Sequence, residues 1–310
     1  MDTEDFISIA TFSQITREKN LVIENMEILS TKRFLRNIAE SKPLKFQESF
    51  DTLTPMIRKE NDSSFVTSMT ARFIFTSNAV EEVSTKTSAD TENILMGHFS
   101  EYSQQDIINV LNTKKAMDYA REQFLNNTTN LCNIAPITVP MILDIHELVM
   151  KGEDFAGKTR DVDVSLCTNT TDMTKHVYPS GDISLSGLTA ICDKVSSLLF
   201  VQTEGTISNI PNSFSAENII KLSAWVHFMF LDLHPFQDGN GRVARILGFY
   251  FLMGLTSLPI PLFQAKNVED ITSEKKNYIK CLEQARADSP CNPAYLSRLI
   301  HKSILLAFDE

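Results

Sequence analysis

The chain has no Cys-x-x-Cys pair, and its five cysteines (Cys132, Cys167, Cys192, Cys281 and Cys291) are an odd number. Neither a disulfide framework nor a zinc site is suggested, and the thiols are expected to be reduced and mostly buried. An ordinary secretory leader is not expected either, because Met1-Asp2-Thr3-Glu4-Asp5 is acidic and no continuous apolar segment follows it. The sequons at Asn61, Asn126, Asn127 and Asn169 then carry little weight. No apolar run of bilayer length exists: the stretch 246–263 is broken by Gly248, Gly254, Pro259 and Pro261, and reads as a buried helix followed by a turn. No membrane association is expected, and a cytoplasmic or nuclear location is the default. Positive charge is scarce, with 29 Lys and Arg against 39 Asp and Glu. No broad basic face stands out, which argues against non-specific nucleic-acid binding, so any phosphate chemistry has to be local. Internal repeats and low-complexity tracts are absent.

What is present is a chain of 310 residues, 43% hydrophobic, enough for one large domain or two ordinary ones. Residues 1–65 are polar and mixed in charge, and read as an N-terminal helical extension to a domain over 66–310. Apolar spacing predicts helices over 64–82 and 105–125, joined by the Ser/Thr-rich stretch 84–91. Further helices are expected over 136–150, 185–202, 215–234, 240–255, 267–287 and 292–308. The helix over 215–234 is apolar on more than one face and should be central and buried. Only 160–179 breaks the helical pattern. There the alternation Val162, Val164, Leu166, the polar turn 169–172 and the return Val177-Tyr178 suggest a short hairpin.

The chemistry is concentrated in His234-Pro235-Phe236-Gln237-Asp238-Gly239-Asn240-Gly241-Arg242-Val243-Ala244-Arg245. Gly239 and Gly241 flank Asn240 between two helices, where the backbone can approach an anion without a Cβ in the way. The free N–H groups of the second helix then face that anion, and Arg242 and Arg245, three apart, share one face of it. Asp238 stands at the mouth of the turn, where one carboxylate can hold magnesium while phosphate oxygens and water complete the shell. His234 ends the preceding helix, and a neutral imidazole can take a hydroxyl proton near neutral pH. Taken singly, a helix-end histidine is usually a cap, Asp-Gly-Asn-Gly a turn, and two arginines a solvated face. Jointly they supply base, metal ligand, anion nest and charge clamp, and eight fixed residue types coincide by chance on the order of once in a hundred million for a chain this long.

These residues resemble the signature of the Fic family, His-x-Phe-x-[Asp/Glu]-Gly-Asn-Gly-Arg-x-x-Arg, with no departure at a defining position. Ile142, Ile145 and His146 before Gly157-Lys158-Thr159-Arg160 are similar to the segment leading into the family's flap, and 162–178 to the flap hairpin. Tyr278 and Leu282 match its Tyr-x-x-x-Leu helix, so the resemblance spans about 66–300. It implies a mainly α fold, a Fic-type helical bundle with a short β-hairpin flap. It also implies transfer of AMP from ATP, with Mg2+, to a Ser, Thr or Tyr hydroxyl of a target protein, self-modification included. On this resemblance His234 is the base and Asp238 the magnesium ligand. Gly239, Asn240, Gly241 and Arg242 form the cradle for the α- and β-phosphates, and Arg245 meets the γ-phosphate.

Many Fic proteins carry an inhibitory helix of pattern [Ser/Thr]-x-x-x-Glu-[Gly/Asn], whose glutamate binds the second motif arginine. Ser77-Asn78-Ala79-Val80-Glu81 fits it, with Glu82 in place of the usual Gly or Asn. Ser77 and Glu81 are thereby the expected inhibitory pair. Arg286 stands where an adenine-contacting asparagine can occur and Ile279 where a second tyrosine often does, so phosphate binding is better supported than the choice of base. No winged-helix pattern of the bacterial DNA-binding members follows residue 300. Two other readings remain open: removal of AMP at the same site, with Glu81 orienting water, and a nucleotide-sensing or protein-binding module without turnover. The target, the nucleotide, the direction and the oligomeric state are not encoded legibly.

Overall fold

Several of the helices announce their first turn with a side chain that caps it. The computed structural model describes residues 27–43, 63–127, 134–161, 165–167, 175–199, 214–256, 258–263 and 265–309. Helix α1 covers 27–40. Then come α2 (Ser63–Val80), α3 (Ser88–Leu95), α4 (Gln104–Asn127) and α5 (Val139–Val149). Strands β1 (Ser165–Cys167) and β2 (Lys175–Val177) follow, then a single 3-10 turn at Gly181–Ile183 and α6 (Ser184–Leu199). The last four helices are α7 (Ala216–Leu233), α8 (Asn240–Leu252), α9 (Val268–Ala287) and α10 (Ala294–Asp309).

Thr138 caps α5 by accepting a hydrogen bond from Met141 N, Ser215 caps α7 from Asn218 N, and Asn267 caps α9 from Asp270 N. Helix α3 differs from the sequence expectation, which left 84–91 as a linker. Thr87 and Asp90 bond each other's backbone N–H in a reciprocal capping box at 2.9 and 3.1 Å, so the helix starts at Ser88. The cue, Thr three residues before Asp, was readable but masked by the polar composition around it.

Strands β1 and β2 pair antiparallel with Ser165 opposite Val177 and Cys167 opposite Lys175. The turn joining them, like Asn61, Cys132, Val162, Val164 and Asn169, lies outside the described residues. Of the cysteines whose side chains are described, Cys192 and Cys291 are buried and Cys281 is half-buried, and all three are free thiols.

Helices α7 and α8 are the most extensively packed pair in the molecule, and the others surround them. Fifteen of the 18 residues of α7 and 12 of the 13 of α8 are buried, so every polar residue among them must find a partner inside the protein. Trp225, Phe228, Phe230, Phe236, Tyr250 and Phe251 are fully buried there. Helix α1 belongs to the same core: Phe34 is fully buried, Trp225 Nε1 donates to Ser41 Oγ at 3.0 Å, and Cys291 N donates to Asn37 Oδ1 at 3.0 Å. No described helix is long and apolar enough to cross a membrane.

Phe34→Ala should therefore cost about 3 kcal/mol or more of global stability, the usual penalty for emptying a buried aromatic site. Urea unfolding followed by circular dichroism checks this. An unchanged midpoint would mean that α1 is dispensable to the core.

Candidate functional site

The turn between α7 and α8 holds the motif, and its shape is set by three side chains that bond backbone. Asn240 bridges Phe236 in both directions, accepting from Phe236 N at 3.0 Å and donating to Phe236 O at 2.8 Å. The Asn240 amide is thus committed to the loop, and what it can offer an anion is its backbone N–H rather than its side chain. His146 of α5 stacks on Phe236 with ring centroids 3.7 Å apart and planes within 1°. Its Nδ1 accepts from Gly157 N at 3.0 Å, so Nε2 carries the proton and donates to Asp238 O at 3.1 Å. Arg160, buried, takes the carbonyls at the end of α7: its Nε donates to His234 O at 2.6 Å and its Nη2 to Leu233 O and Pro179 O. The Arg160 backbone N–H adds a bond to Pro235 O at 2.8 Å. A cation at a helix C-terminus is favoured by the exposed carbonyls there.

These bonds hold His234 in the left-handed region, at φ 52 and ψ 59. For a non-glycine residue before proline that conformation is strained by about 1–2 kcal/mol. The imidazole is nearly buried and stacks on Tyr178, centroids 3.9 Å apart and planes 16° apart. Burial pushes the Tyr178 phenol above its ordinary pKa, opposed by Arg286 and Arg160 and assisted by Asp232 and Glu81.

Helix α8 starts with its first N–H groups directed out of the turn. Gly239 has φ 77, and a Cβ there would lie 2.8 Å from Met150 Sδ. Arg242 is buried, donates to Met150 Sδ at 3.0 Å and lies 3.8 Å from the exposed carboxylate of Asp238. Burial pulls Arg242 below its ordinary pKa, and Arg245 adds to this, while Asp238 and Glu81 oppose it. Arg245 is 4% exposed; its Nε donates to Ser77 Oγ at 3.0 Å and its Nη2 to Ser77 O at 2.8 Å and to Glu81 Oε1 at 2.6 Å. Arg242 Nε and Arg245 Nη1 are buried and have no hydrogen-bond partner among the described residues. Two such donors beside a helix N-terminus are what an anion would satisfy.

An anion is already close by. A Cβ built on Gly241 would lie only 2.0 Å from Glu81 Oε1, so the missing side chain lets the Glu81 carboxylate rest on the first turn of α8. Glu81 gets there because α2 ends just before it. Val83 N donates to Asn78 O and Glu82 N to Ala79 O, both at 3.1 Å, the double closure of a helix whose next residue is left-handed. Glu82 takes that residue's place with φ 62, which explains why Gly or Asn is usual there and why Glu still fits, at a strain of about 1 kcal/mol. Lys275 of α9 pairs with the exposed Glu82 carboxylate at 3.2 Å.

Every residue expected at the site is thus brought together: His234, Asp238, Gly239, Asn240, Gly241, Arg242 and Arg245 around one turn, with Ser77 and Glu81 reaching it from α2. Tyr278 lies under the site, fully buried, with its hydroxyl 2.6 Å from His227 Nε2. Arg286 turns to Asp232 at 3.1 Å and lies over the Phe228 ring.

The Fic/DOC family model matches residues 136–252. The matched segment spans α5 to α8 and contains the whole motif turn. Among solved structures the fold resembles a Fic domain containing signalling protein from Bacteroides thetaiotaomicron, at 20% identity and TM-score 0.61, over 90% of this chain and 96% of that one. It also resembles Fic-1 from C. elegans, at 20% identity and TM-score 0.56, over 98% and 78% of the two chains. A Fic family protein from Desulfovibrio desulfuricans aligns at 19% identity and TM-score 0.59, over 85% and 76%. These likenesses establish a mostly helical, Fic-like fold.

Sequence reasoning gave no role to Arg160, Tyr178 or the Asp232 carboxylate. Asp232 alone had a signal, as a charged residue on the apolar run of α7.

Burial lowers His146 to about 4 and His227 to about 3, against an ordinary 6.5. As pH falls the unfolded chain takes up these protons first, so the stabilisation is complete above pH 6.5 and is lost downward toward the folded values. Stability should drop by about 1–2 kcal/mol per histidine between pH 6.5 and 5, before carboxylates titrate. His146→Gln should remove roughly half of that slope in urea midpoints, and an unaltered slope would contradict a neutral, buried His146.

Proposed function

We propose that the protein transfers AMP from ATP to a Ser, Thr or Tyr hydroxyl of a target protein, and that Glu81 holds the activity down. The observation that carries this reading is the Glu81 carboxylate, which lies over Gly241 and bonds Arg245 at 2.6 Å. The protein's own carboxylate sits where a terminal phosphate would be received, so the two compete for one guanidinium.

With Glu81 displaced, Arg245 would meet the γ-phosphate. Arg242 and the free N–H groups of Asn240, Gly241 and Arg242 would hold the phosphates nearer the reacting centre. Asp238 is exposed; its Oδ1 accepts from Gly239 N at 2.6 Å, while its Oδ2 accepts no hydrogen bond among the described residues and lies 3.8 Å from Arg242. It fits a magnesium site in which the nucleotide supplies most of the oxygens, and the ion when bound would offset phosphate charge. His234 would take the proton of the acceptor hydroxyl. The acceptor oxygen bonds to the α-phosphorus, the bond from that phosphorus to its bridging oxygen breaks, and pyrophosphate leaves. Positioning and charge account for most of such a reaction, and that is what this turn supplies. A cavity of about 630 Å³ beside the turn, bounded by Glu153, Lys158, Asp161 and Gln237, gives an acceptor segment room to approach, with the hairpin as its proposed flap.

One observation favours a second direction. Glu81 uses a single oxygen on Arg245, and its side chain is 32% exposed. The other oxygen could orient a water for removal of AMP from a modified protein, consistent with transfer in one state and removal in the other.

Labelled ATP with magnesium separates these. Glu81→Gly should incorporate at least tenfold more label than the unaltered chain, and His234→Ala in that background should abolish incorporation. Intact mass should show a gain corresponding to AMP on the protein itself or on an added target. Label retained without His234 would remove its role as base. Release of AMP from a modified target that is lost in Glu81→Gly would assign the reverse reaction to the same carboxylate.

A further inference from the structure

The base proposed above is held on both sides by a helix that no part of the motif contains. Asp232 is fully buried, two residues before His234, and its Oδ1 accepts from Arg33 of α1 at 2.9 Å and from Arg286 of α9 at 3.1 Å. A carboxylate removed from water needs such partners, so α1 is tied to the last turn of α7. Helix α1 also grips the segment after β2. Ser30 Oγ donates to Val177 O at 2.6 Å, and Ser180 N donates to Thr31 Oγ1 at 3.0 Å. Tyr178 lies between those two bonds, and its ring is the one stacked on His234.

We propose that α1 positions the catalytic imidazole: Ser30 and Thr31 fix the Tyr178 ring against one face of His234, while Arg33 fixes the helix end from which His234 projects. Arg33, Ser30, Thr31 and Tyr178 are positioning residues, since none of them reaches the reacting atoms. Removing the α1 contacts lets the Tyr178 ring leave the imidazole, and the base then visits more than one orientation. Chemistry slows while nucleotide binding, made by α8 on the far side of the turn, is kept.

This inference rests on reading His234 as the base, and its test has one arm that does not. The six histidines give a tractable set of ring Cε1–H resonances, and loss of one peak in His234→Ala identifies its own. A proton facing an aromatic ring resonates upfield, so the His234 peak should move downfield in Tyr178→Ala and stay in Tyr178→Phe. The paired variant Ser30→Ala, Thr31→Val removes two hydrogen bonds without emptying the core, and should move the peak in the same direction while the His146 peak stays. In the Glu81→Gly background the same pair should lower kcat about tenfold, with KM for ATP within about twofold, as displacement of a reacting group does. Arg33→Ala should act likewise, with Arg33→Lys restoring part of kcat. A His234 resonance that moves in Tyr178→Ala but not in the paired variant overturns the proposal. So does a rise in KM with kcat unchanged. If Glu81→Gly transfers no label at all, the base reading falls, and the resonance alone decides whether α1 holds the ring.

Discussion

A guanidinium buried at the centre of a protein has to have an anion, and Arg245 is such a group. It is 4% exposed, on the first turns of a helix that is buried almost throughout. Water is excluded, so the cost of its desolvation falls on whatever the protein or a ligand places against it. Here that is the Glu81 carboxylate, with Ser77 supplying two further acceptors. The need that is met here by a carboxylate would be met equally by a phosphate, and Gly241 leaves room for the carboxylate. On the proposed reading, silence and activity are two ways of meeting one electrostatic requirement, and a single acidic side chain stands in for a terminal phosphate.

The positions of the two reacting ends are bought with strain. Among the described residues only His234 and Glu82 are non-glycines with positive φ, and both end helices at this site. His234 is kept there by Arg160, which bonds the carbonyls of the helix end, and by the Phe236–Asn240 clamp on the turn that follows. Glu82 is kept there by the double closure that ends α2 and by Lys275. Strain of this size persists only where the surroundings over-determine the backbone, and here the buried α7–α8 pair does so.

What could be read from the sequence was what is close in the sequence. The motif occupies twelve consecutive residues, and its helix–turn–helix setting follows from apolar spacing on either side. The helix boundaries fell within a few residues of those observed, because the apolar spacing that marks each helix runs nearly to its ends. Helix α3 escaped because eight residues are too few for a period to show. The partners of buried charge were not legible at all: Arg33 and Asp232 are 199 residues apart, and nothing in composition or spacing links them. Glu81 and Arg245, 164 apart, could be paired beforehand only through the resemblance to a known pattern, and the Tyr178 stack had no such guide.

Two of the helices that precede the matched region grip opposite ends of the motif. Helix α2 meets α8 through Glu81 and Ser77, on the side that would receive phosphate. Helix α1 meets α7 through Arg33, and the Tyr178 segment through Ser30 and Thr31, on the side of the imidazole. The two sets of contacts share no residue. On the proposed reading Glu81 can therefore leave Arg245 without loosening His234, so that release of the anion site exposes a base already in place. Catalysis by positioned charge depends on groups that need not rearrange at the moment of reaction. A clamp on the base that is separate from the latch on the phosphate site meets that requirement, whereas one helix doing both would disorder the base each time it opened.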